Sequence, residues 1–438
     1  MPTDQSVRFT MKIKLRYKMV AMLTVGAMIN FIDRVNVSVA APKIMATLGW
    51  DEARLGLIFS AFLAGYTIFQ FPGGIIADRW NAKRVVALSC LGFSLFTLLT
   101  PLGAVAFGLM IALRFAVGMF ESASFPAYAS INSLWVPRHE YGRAQMVSLS
   151  GSYLGQTFAY PLTTWVLLTF SWSAVFYFNA ALGVIWVIAW LLFATNTPRE
   201  HPRIREAELN DIEQNRAPRA GAPTSPWSVL KSPQVLLLSF SYLCLCYGVW
   251  MIALWLPTYL VKARGFTQQE MSRLGMIPTA ASFLGLVGGG VLTDLLLRRN
   301  LPARFARVRA PAICIAAGIP FLVIGVLSSS GAVSIGCFAI YLLFISISTS
   351  GYWAVALEMN PRLVGAISGV MTAAGNLGGV FGPMSAGYVV RATGNWVLPF
   401  LMTSAFALIG FLVFYFFVKP EPVSFESILP EPAAVSGA

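Results

Sequence analysis

The chain has 438 residues, of which 57% are hydrophobic and 11% charged, with a mean hydropathy of +0.70 and a formal net charge of +13. A soluble chain carries roughly 25% charged residues, so this much apolar sequence cannot be covered by its own surface, and part of its solvent must be lipid. That excludes a soluble enzyme, a disordered protein and a secreted disulfide scaffold.

A run of about 20 apolar residues crosses a hydrocarbon core as a helix. Such runs fall at 19–41, 55–77, 85–105, 107–128, 142–168 and 172–195. After a polar stretch they resume at 234–260, 274–297, 310–329, 332–358, 364–390 and 396–418. They are continuous, unlike the alternating segments of a membrane β-barrel. The first run contains Asp33 and Arg34 and lacks a small-residue cleavage site, so it is expected to be retained and not removed as a signal peptide. The spans predict an all-α membrane protein of twelve transmembrane helices in two pseudo-symmetric six-helix bundles.

The expected organisation is an N-terminal bundle over 1–195, a cytoplasmic linker over 196–233, a C-terminal bundle over 234–418 and a disordered tail over 419–438. Within the linker, Arg203 to Arg216 reads as a charged amphipathic helix and Ala217 to Pro226 as flexible chain. Matches between the halves point to duplication. Span 2 ends in G-G-I-I-A-D (Gly73 to Asp78) and span 8 in G-G-V-L-T-D (Gly289 to Asp294). Spans 5 and 11 each carry an Ala followed by a Pro, Ala144/Pro161 and Ala366/Pro383, at the same spacing.

With the N-terminus inside, 23 of the 31 Lys and Arg fall in cytoplasmic segments and six in outside loops. The positive-inside rule places both termini in the cytoplasm. The net charge is therefore topological, with no aromatic-interleaved patch for nucleic acid. Loop 7–8, carrying Lys262, Arg264 and Arg273 outside, fits poorly.

The two remaining cations, Arg34 and Arg114, lie inside spans, as do the acids Asp33 and Glu121. A charge at the bilayer centre costs about 2.5–3.5 kcal/mol on insertion scales. Arg114 and Glu121 are two turns apart on one face of span 4. Asn30 and Asn36 flank Asp33 on span 1 as a polar stripe. Buried pairs pinning span 1 to span 4 are the structural alternative, but such pairs stabilise weakly compared with apolar packing. Both histidines, His139 and His201, fall in loops, so carboxylates would have to carry any protons. Two arginines, with their planar forks, argue for an anionic substrate. Arg34 is favoured as the anion holder because Asn30 lies one turn away on its face.

Tyr66, Gln156, Ser350, Tyr352, Trp353 and Asn376 add polar or aromatic groups within spans. Gly375, Gly379 and Gly382 read as helix-packing residues. Asp78, beside Arg79, Lys83 and Arg84, and Asp294, beside Arg298 and Arg299, sit at helix C-terminal ends where the macrodipole disfavours an anion. Compensating partners are expected there, forming a gating latch. The five cysteines lie in apolar runs without metal-ligand spacing. No GxSxG, HExxH or Walker P-loop is present, so neither a cofactor nor an enzymatic activity is expected.

G-I-I-A-D-R-W-N-A-K-R, Gly74 to Arg84, resembles the loop 2–3 motif of the major facilitator superfamily, with Asn81 where a glycine is usual. N-F-I-D-R-V-N (Asn30 to Asn36) and R-F-A-V-G-M-F-E-S-A-S-F-P (Arg114 to Pro126) resemble the anion:cation symporter family. That family includes hexuronate, galactonate, glucarate and phthalate transporters and is similar to vesicular glutamate carriers. The resemblance implies proton coupling at Asp33 and Glu121 and anion binding or gating at Arg34 and Arg114. It also implies substrate contacts at Tyr66, Gln156, Ser350, Trp353 and Asn376. Phe31 stands where some sugar-acid transporters have Tyr, and Tyr352 is bulky for its position; both leave room for a more aromatic or less hydroxylated acid.

The expectation is a monomeric secondary transporter in a bacterial inner membrane, importing an organic anion by proton symport with alternating access. Anion exchange is the alternative. A non-transporting sensor is disfavoured because the 196–233 loop is too short for a signalling domain.

Overall fold

The computed structural model describes residues 14–215, 226–360 and 364–420. Among these residues there are fourteen α-helices and no strand. The first half contains α1 (Leu15–Leu48), α2 (Glu52–Arg79), α3 (Ala82–Leu99), α4 (Phe107–Glu121), α5 (Ser124–Trp135), α6 (Arg138–Thr169) and α7 (Trp172–Phe193). A short linker helix, α8 (Glu206–Gln214), follows. The second half contains α9 (Pro233–Lys262), α10 (Gln268–Arg298), α11 (Ala310–Leu327), α12 (Gly331–Met359), α13 (Val364–Thr393) and α14 (Val397–Leu412).

Ten described segments are long and apolar enough to cross a membrane. The other two spans, α6 and α13, have 32 and 30 residues, and α6 is the more polar of the two. The packing permits this. α6 lies against α1 and α10, and α13 against α9 and α2. A helix wrapped by other helices does not need an apolar surface all round.

The duplication is visible in the packing. In the first half α1 pairs with α6, α2 with α4 and α3 with α7; in the second, α9 pairs with α13, α10 with α12 and α11 with α14. Lipid gives helices no hydrophobic reason to associate, so close backbone approach at small residues does that work. A Cβ on Gly65 of α2 would lie 2.1 Å from the Phe115 carbonyl oxygen, and one on Gly151 of α6 would lie 2.0 Å from that of Thr24. Gly375, Gly379 and Gly382 of α13 are packing positions in the same sense, against Tyr242, Trp250 and Tyr247.

Span 4, expected as one helix over 107–128, is two helices reaching Trp135, with Ser122 and Ala123 in a turn between them. Pro126 explains the break: in a continuous helix its ring would meet the carbonyl of Ser122. Inside a membrane the freed carbonyls need partners. Ser89 of α3 donates to the Phe120 oxygen at 2.6 Å, and Ser122 Oγ donates to that of Met119 at 2.7 Å.

The amphipathic linker helix is shorter than Arg203 to Arg216, spanning Glu206–Gln214, and it docks on the first half. Glu208 accepts from the backbone N–H of Leu15 and Arg16 at 3.1 and 3.0 Å, capping α1 with a carboxylate as its dipole favours. Arg16 is buried between Asp211 at 2.6 Å and Glu140 at 2.8 Å. His201 packs edge-on to Trp135 and Phe193, and this burial pushes its imidazole pKa down. The tail beyond 420 and chain 216–225 lie outside the described residues.

The described chain ends and the linker share one face, here the terminal face. On the opposite face the halves are joined. Lys262 pairs with Glu52 at 2.8 Å and Arg391 with Asp51 at 3.2 Å. Gln268 donates to the Val39 carbonyl at 2.8 Å and Ser38 to that of Leu254 at 2.9 Å. Two of the three basic residues of loop 7–8 are held in contacts on this face. Lys262 is used in the seal, and Arg264 donates to Tyr259 Oη and to the Gly325 and Val326 carbonyls at the end of α11. Toward the terminal face the last described hydrogen bonds between the halves are Gln70–Asn376 and Thr157–Thr279.

Candidate functional site

Four charged side chains come together in the first half. Arg34 of α1 donates from Nε to Glu121 Oε1 of α4 at 2.9 Å, and its Nη2 donates to the same oxygen. Glu121 Oε2 is buried and accepts no hydrogen bond. Asp33 is satisfied at both oxygens, by Asn36 Nδ2 at 3.1 Å and by Thr97 Oγ1 of α3 at 2.9 Å. Arg114 lies within electrostatic range of both acids, with Nε and Nη1 buried and making no hydrogen bond. Buried polar atoms without partners are rare in folded proteins, and here three of them belong to Glu121 and Arg114.

Aromatic rings enclose the Arg34 guanidinium. Its carbon lies 4.5 Å from the centre of Phe31, 4.7 Å from Tyr66, 5.3 Å from Phe62 and 5.5 Å from Trp250. Three rings belong to the first half; Trp250, on α9, belongs to the second. The break after Glu121 places that carboxylate at the end of α4, and the close α2–α4 approach at Gly65 brings Phe62 and Tyr66 beneath the pair. Asn30 does not accompany Arg34: its amide reaches Ser124 of α5 at 3.5 Å.

The structure therefore gathers Asp33, Arg34, Tyr66, Arg114 and Glu121. Asn376 of α13 donates to Gln70 at 2.6 Å, one turn along α2 from Tyr66. Gln156 is half-buried on α6, Ser350 turns back to the Ile347 carbonyl at 2.8 Å, and Trp353 is 47% exposed. None of these three touches the charged cluster by a described contact. Tyr352 corrects an expectation: it is fully buried in the second half, stacked on Phe414 and bonded to Ser241 at 2.7 Å. It does not narrow a site between the halves. Of the gating set, the side chains of Asp78, Arg79 and Asp294 lie outside the described residues, while Arg84 and Arg298 are exposed. Asn81 caps α3 by accepting from the Arg84 N–H at 3.1 Å, with φ −69, so no left-handed backbone is required there. Thr97, Phe62, Gln70 and Trp250 escape sequence reading, because nothing local separates a cluster-facing Thr or aromatic from the many that pack against lipid or core.

A family model described as Major Facilitator Superfamily matches residues 23–383. The chain belongs to the Major Facilitator Superfamily. It is a membrane transporter by fold and relationship. It is 28% identical to a probable sulfoacetate transporter, SauU, of Cupriavidus necator, covering 92% of this chain and 94% of that protein. It is 30% identical to a hexuronate transporter of Bacillus subtilis, covering 93% and 96%. It is 31% identical to a chloroplastic ascorbate transporter of Arabidopsis thaliana, covering 89% and 72%. These relatives bear out the resemblance to anion:cation symporters. Among solved structures, a bacterial homologue of the lysosomal transporter Spinster, inward-facing and unoccupied, superposes with a TM-score of 0.78 at 18% identity, covering 92% and 97%. A D-xylose-proton symporter gives 0.72 at 14%, covering 93% and 99%. Both show the superfamily fold.

Proposed function

We propose that this superfamily member imports a small organic anion by proton symport across a bacterial inner membrane, as a monomer with both termini in the cytoplasm. The observation that carries the reading is the Arg34–Glu121 pair with its vacant Glu121 oxygen. An anionic substrate and ionised Glu121 compete for one guanidinium. Protonation at Oε2 neutralises the acid, loosens the pair and frees the fork of Arg34 for a carboxylate or sulfonate. Anion and proton then load together and leave together.

Arg34 is the anion holder in this reading because it touches Trp250 of the other half, at the interface where transporters of this type bind their substrates. Arg114 lies deeper in the first half and tunes Asp33. Tyr66, Gln156, Ser350, Trp353 and Asn376 remain proposed substrate contacts. Asp78, Arg79, Arg84, Asp294 and Arg298 remain a proposed latch on the terminal face. The names of the relatives support carboxylates, sulfonates and sugar acids as the substrate class. With the terminal face cytoplasmic, the joined opposite face corresponds to an inward-facing state.

The test is transport in proteoliposomes with sugar acids, aromatic acids and short sulfonates. Symport requires that an inward acid gradient drive accumulation. Counterflow of the same anion without any response to the gradient would sink symport and leave exchange.

A further inference from the structure

We propose that Trp250 is the positioning residue that ties the Arg34–Glu121 pair to the conformational state of the transporter; this rests on the symport reading above. Phe31, Phe62 and Tyr66 belong to the same half as Arg34 and travel with it. Trp250 comes from α9 of the other half, and among the described residues it is the one ring on Arg34 that relative motion of the halves can remove. A groove in α13 sets its position. Gly379 faces the indole so closely that a Cβ there would lie 2.5 Å from Cδ1 and 3.0 Å from Nε1. The ring is half-buried, with one side against α13 and the other toward the guanidinium.

The physical consequence follows from the dielectric. With the opposite face joined, the indole covers Arg34, excludes water and offers its π face to the cation. Arg34 then attracts ionised Glu121 most strongly, while burial by itself would keep the carboxyl protonated. The anion leaves toward the terminal face, the Glu121 proton passes to water on that side, and the pair closes. When the halves rock the other way the ring withdraws, water enters, the pair weakens and an anion from the opposite side can compete for Arg34. Without the ring, pairing would be similar in both states and the two gradients would uncouple.

The experiment compares wild type, Trp250→Phe, Trp250→Ala and Gly379→Ala in proteoliposomes, each checked for monodispersity. Its readout is the ratio of proton-driven accumulation to counterflow, using whichever anion the wild type accumulates. Trp250→Ala should lower that ratio by about tenfold or more, the scale of a desolvated cation–π contact. Trp250→Phe should keep most of it. Gly379→Ala, which displaces the indole without changing it, should follow Trp250→Ala. A wild-type ratio in Trp250→Ala, or an equal loss in Trp250→Phe, would overturn the proposal while leaving symport intact. A wild type that never responds to the proton gradient would overturn symport and this role together.

Discussion

Arg34 and Glu121 are joined across α1 and α4, while Arg114, two turns before Glu121 on the same helix, keeps Nε and Nη1 without hydrogen-bond partners. The two arginines are thus in different situations, and their lysine variants should differ. Lysine keeps the charge and loses the planar fork. Arg34→Lys should weaken anion binding by roughly 1.5–3 kcal/mol, about 10- to 150-fold, the scale of a charged hydrogen bond. Arg114→Lys should leave affinity nearly unchanged and move the pH profile of uptake. Affinities measured on both folded variants decide the matter, and the reverse pattern would reassign the anion to Arg114.

The two acids should also differ. Asp33 has both oxygens satisfied by Thr97 and Asn36, whereas Glu121 has one vacant. Glu121→Gln should abolish proton-driven accumulation and preserve counterflow, because the amide imitates a protonated carboxyl. Asp33→Asn should have the smaller effect. Wild-type accumulation in both variants would remove carboxylate coupling from the mechanism.

On the opposite face, two ion pairs cross between the halves among the described residues, Glu52–Lys262 and Asp51–Arg391. Exposed pairs are each worth about 0.2–1 kcal/mol, so one deletion should shift the conformational balance little and two should shift it measurably. Ser38→Cys provides a reporter: the side chain is buried and contacts the Leu254 carbonyl across the interface. In a background with both Glu52→Gln and Asp51→Asn, this cysteine should react faster with a membrane-impermeant maleimide added from the opposite side. Unchanged labelling would mean that apolar packing alone seals that face.

Gly65 tests the close helix approach that builds the aromatic floor of the site. A methyl group there would meet the Phe115 carbonyl oxygen at 2.1 Å. Gly65→Ala should separate α2 from α4 and cost about 1–3 kcal/mol, as overpacking does, lowering the melting temperature in detergent. Gly108→Ala, on α4 but with open space around it, should melt like wild type. Equal melting of Gly65→Ala and wild type would show that the contact relaxes without cost.

Much of the architecture was legible because bilayer insertion imposes length and polarity rules on each segment separately. The spans, the duplication and the isolation of Asp33, Arg34, Arg114 and Glu121 all follow from where charges can and cannot sit in hydrocarbon. The break after Glu121 was also in the sequence, at Pro126, although an apolar run conceals it. What tertiary structure decided was pairing. A sequence allows Arg34 and Arg114 either acid; helix packing gave Glu121 to Arg34, gave Thr97 to Asp33, and left two nitrogens of Arg114 unbonded. It likewise turned Tyr352 into the core of one half and brought Trp250 from the other half onto Arg34. Such contacts depend on rotations and distances between helices far apart in the chain, and no local pattern of residues encodes them.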